Sequence, residues 1–323
     1  MSDDFSGVPA RTPSDPSWER ATLEKLVFAT LKEQRAARRW RQFSRLVWLA
    51  LLASVVWFVY KEQTGGAVQS TPHTAVIEIR GEISSGAQAS ADNVVSALKI
   101  AFEDKGAQAV VLLIDSPGGS PVQAGIINDE VTRLKALHKK KVYAVVEETC
   151  ASAAYYIAAS ADNIYVDKAS LVGSIGVLMD GFGFTGLMDK LGIERRLMTA
   201  GTNKAMLDPF SPQNPEQSAY IQKMLGEIHA QFIAVVKRGR GARLKETPDM
   251  FSGLVWNGQQ AVELGLADGL GSLDSVARDV VKAEEIVDYT LRENLGSRLA
   301  RQFGASIGEG FYVAARAGGL TLK

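Results

Sequence analysis

The run Ala109-Val-Val-Leu-Leu-Ile-Asp-Ser-Pro-Gly-Gly-Ser120 decides the fold class. Ala109–Asp115 is almost wholly apolar, the pattern of a strand buried on both faces. It feeds a turn of Pro and two glycines. Pro121–Leu137 then carries Val122, Ile126, Ile127, Val131 and Leu134 at helical spacing. Strand, small-residue turn and helix make the unit from which parallel sheets are built. The alternation extends both ways. Upstream, Ala75–Arg80 reads as strand and Ala89–Asp104 as helix. Downstream, Lys141–Glu147 reads as strand, Ser152–Ser160 as a short helix, and Asn163–Val166, Gly176–Met179 and Glu194–Met198 as further strands. Pro215–Arg238 forms a long amphipathic helix, followed by shorter elements at Gly258–Leu264 and Ser272–Lys282 and a strand near Ile286–Tyr289. The expectation is an α/β fold with a mostly parallel sheet covered by helices.

The ends of the chain differ from this body. Residues 1–20 are rich in Ser, Asp and Pro, the composition of a disordered segment. Lys32, Arg35, Arg38, Arg39, Arg41 and Arg45 then crowd together, followed by the uncharged stretch Leu46–Tyr60. Fifteen helical residues rise roughly 22 Å, short of a hydrocarbon core of about 30 Å. Snorkelling by Arg45 and Lys61 and interfacial placement of Trp48, Trp57 and Tyr60 make up the difference. No Ala-x-Ala-like site follows within Gln63–Ser70, which favours an uncleaved anchor over a signal peptide. The basic excess before the span places the N-terminus in the cytoplasm and the body outside, on a single-pass inner-membrane protein. The chain divides into a cytoplasmic segment 1–45, an anchor 46–61, a linker 62–74, a main domain 75–284 and a C-terminal strand and tail 285–323.

Composition narrows the chemistry. The net charge of zero gives no sign of a nucleic-acid partner. The single cysteine, Cys150, excludes an internal disulfide, and His73, His138 and His229 are too scattered for a Cys/His metal site. No metal or other cofactor is expected.

Three small-residue segments sit where strands end, the place where α/β folds bind ligands. In Asp115-Ser-Pro-Gly-Gly-Ser120 the glycines leave backbone N–H groups free to meet an anion, or simply make a tight turn. In Glu147-Glu-Thr-Cys-Ala-Ser-Ala-Ala-Tyr-Tyr156, Ser152 stands at a helix N-terminus, where it is either a nucleophile or an ordinary helix cap. The Ala153 and Gly119 N–H groups could serve as oxyanion donors there. Cys150 is a rival nucleophile or a small buried side chain. The third segment is Val172-Gly-Ser-Ile-Gly-Val177, followed by Gly201-Thr-Asn-Lys204, where Lys204 is a surface cation or, in a dry pocket, a neutral amine base.

Together these motifs, with Ala151–Ile157 and the turn Asp208-Pro-Phe-Ser-Pro212, resemble the bacterial signal peptide peptidase A (SppA) family over roughly Ala75–Asp274. The resemblance implies a Clp protease/crotonase-like superhelix of repeated ββα units. It implies Ser152 as nucleophile, Lys204 as general base, Gly119 and Ala153 as oxyanion donors and Ser174 as the group orienting the lysine. Substrate would lie along Gly118, Ser120, Gly173, Ile175 and Gly176. It further implies remnant signal peptides as substrates, with misfolded exported proteins as a second class, and a homo-oligomeric ring at the bilayer. The chain has Ala153-Ala154 after the serine where the family usually has a glycine, and Asn203 where it often has a basic or aromatic residue.

Three rival readings remain. A crotonase-like acyl-CoA enzyme would share the sheet and the glycine donors, but has no need of Ser152 or Lys204. A non-catalytic membrane scaffold would use Ser152 only as a cap. Gly181-Phe-Gly-Phe-Thr-Gly186 fits a dinucleotide-binding pattern, but no acidic residue lies about 20 positions on.

Overall fold

In the computed structural model, which describes residues 38–54, 57 and 71–292, eight strands form one sheet. β1 (His73–Arg80), β2 (Ala107–Ser116) and β3 (Lys141–Ala151) are parallel and form its centre. The order is β6-β5-β3-β2-β1-β8, with β8 at Ile286–Asp288, β5 at Leu171–Gly173 and β6 at Val255–Asn257. Only the β5–β6 pair is antiparallel. β4 (Asn163–Val166) also pairs with β3, and β7 (Gly269–Leu270) pairs with β4. The expected mixed α/β fold with a mostly parallel sheet is therefore present.

Side-chain alternation divides the core. Ala75, Ile77 and Ile79 of β1, Val110, Leu112 and Ile114 of β2, and Val142, Ala144 and Val146 of β3 face one layer. That layer contains α1 (Ala91–Glu103), α2 (Pro121–His138) and α3 (Ala153–Ala158). Val76, Val111, Leu113 and Val145 face a smaller cluster closed by Val276 from the helical turns at 273–281. A strand covered on both faces must be apolar at every position, which is why the 109–115 run is so legible.

Two pieces differ from expectation. Gly176–Met179 and Glu194–Met198 are not strands. Their apolar residues lie on the surface, with Leu178 82% and Met198 95% exposed. Strand propensity forms a strand only where a neighbour accepts the backbone hydrogen bonds, and neither segment pairs with a strand among the described residues. The helix α4 (Thr185–Leu191) buries no side chain, and α5 (Pro215–Arg240) buries Phe232, Val235, Val236 and Arg240 near its C-terminus.

The helical stretch 38–54 forms a unit of its own. The expected anchor, 46–61, runs partly outside the described residues, among which no helix is long and apolar enough to cross a membrane. Residues 1–20 and most of the 285–323 tail also lie outside them.

The start and end of the body are tied by one polar cluster. The Tyr289 hydroxyl donates to Asp104 at 2.5 Å and lies 3.0 Å from Nε2 of the buried His73. Gly106 N–H also donates to Asp104, at 2.7 Å, and the Lys140 ammonium donates to the Ala101, Phe102 and Asp104 carbonyls that end α1. Burial pushes the Asp104 carboxyl up, but the Tyr289 and Gly106 hydrogen bonds and the nearby His73 and Lys140 charges outweigh it and hold it below its usual value. A depressed carboxylate stabilises the fold above its unfolded pKa and loses that contribution as pH falls through its folded value. Tyr289→Phe should cost about 1.5–3 kcal/mol at pH 7, the range for a bond to a charged acceptor. The deficit relative to wild type should shrink below about pH 4 as Asp104 protonates; urea unfolding at both pH values reads it.

Candidate active site

The site begins where β3 forks. Its first half pairs with β4 through Tyr143–Val145, and its last residues, Thr149–Ala151, pair with β5. Ser152 follows at once. Its N–H donates to the Gly173 carbonyl at 2.8 Å, and its own carbonyl accepts from Tyr156 N–H at 3.0 Å, opening α3. Between these bonds the backbone takes φ 54° and ψ −123°. A non-glycine residue there costs about 1–3 kcal/mol and persists only where its surroundings hold it. The Ser152 side chain caps nothing. That removes the helix-cap explanation of this serine, and its half-buried hydroxyl is free for chemistry.

Opposite stands the turn after β2. Gly118 packs so closely that a Cβ there would lie 2.8 Å from the Ser152 Cβ and 3.0 Å from the Ala153 nitrogen. Gly119, at φ 145°, would drive a Cβ to 2.3 Å from the Ile83 carbonyl oxygen. Among the described residues the N–H groups of Gly119 and Ala153 donate to nothing. The expected donor pair thus flanks Ser152 with both hydrogens unused. Ser120 is engaged elsewhere: its N–H donates to Ile83 and its hydroxyl caps α2.

The β5 side is tighter than an open edge. Gly173 is bonded to β3 and β6 and lies against Trp256, whose ring would be 2.7 Å from an added Cβ. The hydrogen-bonding positions of 171–173 are thus taken up by β3 and β6 on its two sides. Ser174 takes φ 51° and donates its N–H to the Leu254 carbonyl at 2.7 Å. Ile175 is buried, with its carbonyl 3.0 Å from His229 Nε2 of α5, and Gly176 N–H turns back to the Ser174 carbonyl.

Lys204 is exposed in the single chain, and its ammonium makes no hydrogen bond to Ser152 or to any other described residue. No dry pocket encloses it among the described residues of the single chain. Its loop belongs to a segment with a small core of its own. Phe184 stacks on Phe210 at 5.5 Å, Arg195 lies over Phe210, and Asp208 accepts from Ser211 at 2.6 Å and from Arg195 at 3.4 Å. A cavity of about 250 Å³ lies there, lined by Met179, Phe182, Leu207, Pro209 and Ile221 among others. The Gly181–Gly186 pattern follows no strand, so it lacks the setting of a dinucleotide loop.

Cys150 is wholly buried among apolar neighbours, and burial pushes its thiol up, away from the reactive thiolate. Among the described residues no His, Cys, Asp and Glu group could hold a metal. Reading the sequence alone passed over three residues that shape the site. Ser116 is buried and bonded to Gly118 N–H, Trp256 walls Gly173, and His229 braces Ile175. Ser116 lies within a quoted motif; the other two come from distant segments that only the fold brings near.

A strained serine at a strand–helix junction beside two unused N–H donors is an arrangement of the kind that nucleophilic acyl transfer requires. Residues 135–287 match the profile of peptidase family S49. The chain is 36% identical over 214 residues to "Putative protease MJ0651" of Methanocaldococcus jannaschii, covering 64% of this chain and 68% of that protein. It is 30% identical over 219 residues to "Protease 4" of Haemophilus influenzae, covering 66% and 35%. It is 45% identical over 208 residues to a Brucella melitensis protein named "Na(+)/H(+) antiporter NhaA", covering 63% of this chain and 28% of that protein's length. The chain belongs to peptidase family S49.

Cys150 is a packing residue on this geometry. The native protein should react with a thiol reagent only as fast as it unfolds, and Cys150→Ala should retain the catalytic rate of the wild type. Rapid labelling of native protein that also stops catalysis would contradict this.

Proposed function

We propose that this chain is a membrane-anchored serine endopeptidase in which Lys204 removes the Ser152 proton, Ser152 attacks a peptide carbonyl, and the Gly119 and Ala153 N–H groups hold the oxyanion. The observation that carries the reading is Ser152 itself: strained, capping nothing, and flanked by those two unused donors. Such donors act on charge that develops only in the transition state, and removing one typically costs about 10²–10³ in kcat. Collapse of the tetrahedral adduct expels the amine, which takes the proton Lys204 had removed, and leaves an acyl-Ser152 ester and a neutral lysine. Water hydrolyses the ester, with Lys204 again as base. An amine base must be neutral to act, so Lys204 needs a drier setting than the exposed one it has in a single chain.

Assembly supplies that setting in this reading. The segment carrying Lys204 exposes Leu178, Phe182, Leu191 and Met198, an apolar surface that a lone soluble body seldom leaves uncovered. A homo-oligomeric ring buries it and brings Lys204 to Ser152, near which Ser174 already stands in the same chain, one residue after Gly173. Substrate runs extended past Gly119 and on beyond Ser174, where the backbone leaves the sheet. Remnant signal peptides are the substrate class, met at the bilayer by a body anchored through 46–61, with the N-terminus in the cytoplasm. The crotonase-like arrangement of ββα repeats belongs to the same proposal.

A fluorophosphonate probe should label wild type at Ser152, and Ser152→Ala should abolish both labelling and peptide hydrolysis. Lys204→Ala should keep the fold but lose activity by about 10²–10⁴, the usual worth of a general base. Mixing inactive Ser152→Ala and Lys204→Ala chains tests whether the amine comes from a neighbour, since activity then returns in mixed rings. Hydrolysis surviving in Ser152→Ala would reject the proposal.

A further inference from the structure

The turn after β2 uses its three backbone donors unequally. Gly118 N–H donates to the Ser116 hydroxyl oxygen at 3.1 Å, and Ser120 N–H donates to the Ile83 carbonyl at 2.7 Å. Gly119 N–H, between them, is unused. Ile83 N–H in turn donates to the Gly118 carbonyl at 2.9 Å, completing a parallel bridge between Ile83 and Gly119. In such a bridge the partner is met by the carbonyl before and the N–H after the central residue, so that residue's own N–H points to the other side. Ile83 follows β1, and the strand order runs β3-β2-β1. Gly119 N–H is therefore turned toward the β3 side, where Ser152 ends the strand.

Two anchors fix this orientation. One is the Ile83 backbone. The other is Ser116, fully buried and itself paired in register with Cys150, two residues before the nucleophile. Gly118 and Gly119 have φ of 108° and 145°, conformations open to glycine and easily exchanged for others. Gly118 is buried, so its N–H without Ser116 would be an unpaired buried donor, and the turn would rotate to find another acceptor.

We propose that Ser116 is a positioning residue for the reaction: by holding Gly118 N–H it keeps the following N–H, that of Gly119, aimed at the oxyanion formed on the Ser152 adduct. This inference rests on the function proposed above and goes beyond it by naming what keeps the donor aligned. A displaced donor affects the transition state more than the bound peptide, so the effect belongs in kcat.

The test uses the full-length chain in detergent, with Ser116→Ala and Ser116→Thr compared to wild type. Ser116→Ala should lower kcat about 10- to 100-fold, the scale for a misplaced catalytic group, with KM within about twofold. Affinity for a peptidyl aldehyde, whose adduct carries the oxyanion, should fall by the same factor as kcat/KM. Affinity for the cleaved product peptide should not change. Ser116→Thr keeps the acceptor oxygen and should recover most of the loss. Wild-type kcat in Ser116→Ala overturns the inference. So does a loss shared equally by aldehyde and product peptide. Hydrolysis persisting in Ser152→Ala would instead reject the underlying peptidase reading, so the two failures are distinguishable.

Discussion

The arrangement of the site depends on one backbone distortion, the positive φ of Ser152 at the fork of β3. Val142, Ala144 and Val146 lie in the helix-side core, and after the register with β2 shifts Cys150 lies there too. Ser152 follows with φ 54° and a half-exposed side chain. Strain of this size persists because the surroundings fix both sides of the residue. The Gly173 carbonyl holds its N–H, and Tyr156 N–H holds its carbonyl.

The same distortion explains the neighbouring glycines. A serine turned out of β3 comes against the end of β2, so the chain there must lie very close. Gly118 meets that demand, since any side chain would collide with Ser152 and Ala153. Gly119 meets the matching one on the other side, against Ile83. The bareness that permits the close approach also leaves the Gly119 N–H uncovered. One packing requirement thus accounts for both the small residues and the free donor, without any side chain being assigned to the oxyanion.

Legibility in the sequence followed the source of each element's stability. β1, β2 and β3 are buried on both faces, so their apolar runs mark them plainly, and α2 and α5 were read to within two residues of their ends. β5, β6 and β7 have three, three and two residues, too short for any periodicity. They exist because β3 offers hydrogen bonds to β5, β5 to β6 and β4 to β7, and that is a tertiary fact. The converse error occurred at 176–179 and 194–198, where apolar residues lie on an exposed surface rather than in a strand. Ser152, Gly119, Ala153 and Lys204 were singled out as a set through the resemblance of their motifs to one family; the fold brings the Gly118–Gly119 turn against Ser152, whereas no hydrogen bond joins Lys204 to Ser152 among the described residues.

That last point separates the two halves of the proposed catalyst. In that proposal the serine and its donors are held by the sheet, at the edge of the core. The lysine sits on a surface segment whose apolar side chains are exposed among the described residues. A hydrolytic base exposed to water holds its proton, whereas one placed in an apolar interface gives it up more easily, because burial disfavours the charged amine. The covering that would satisfy Leu178, Phe182 and Met198 is also the covering that would make Lys204 a base. In the proposed ring, association would do more than stabilise the protein: it would be the step that converts an inert serine into an attacking one, and would keep the isolated chain from cleaving peptides before it is assembled.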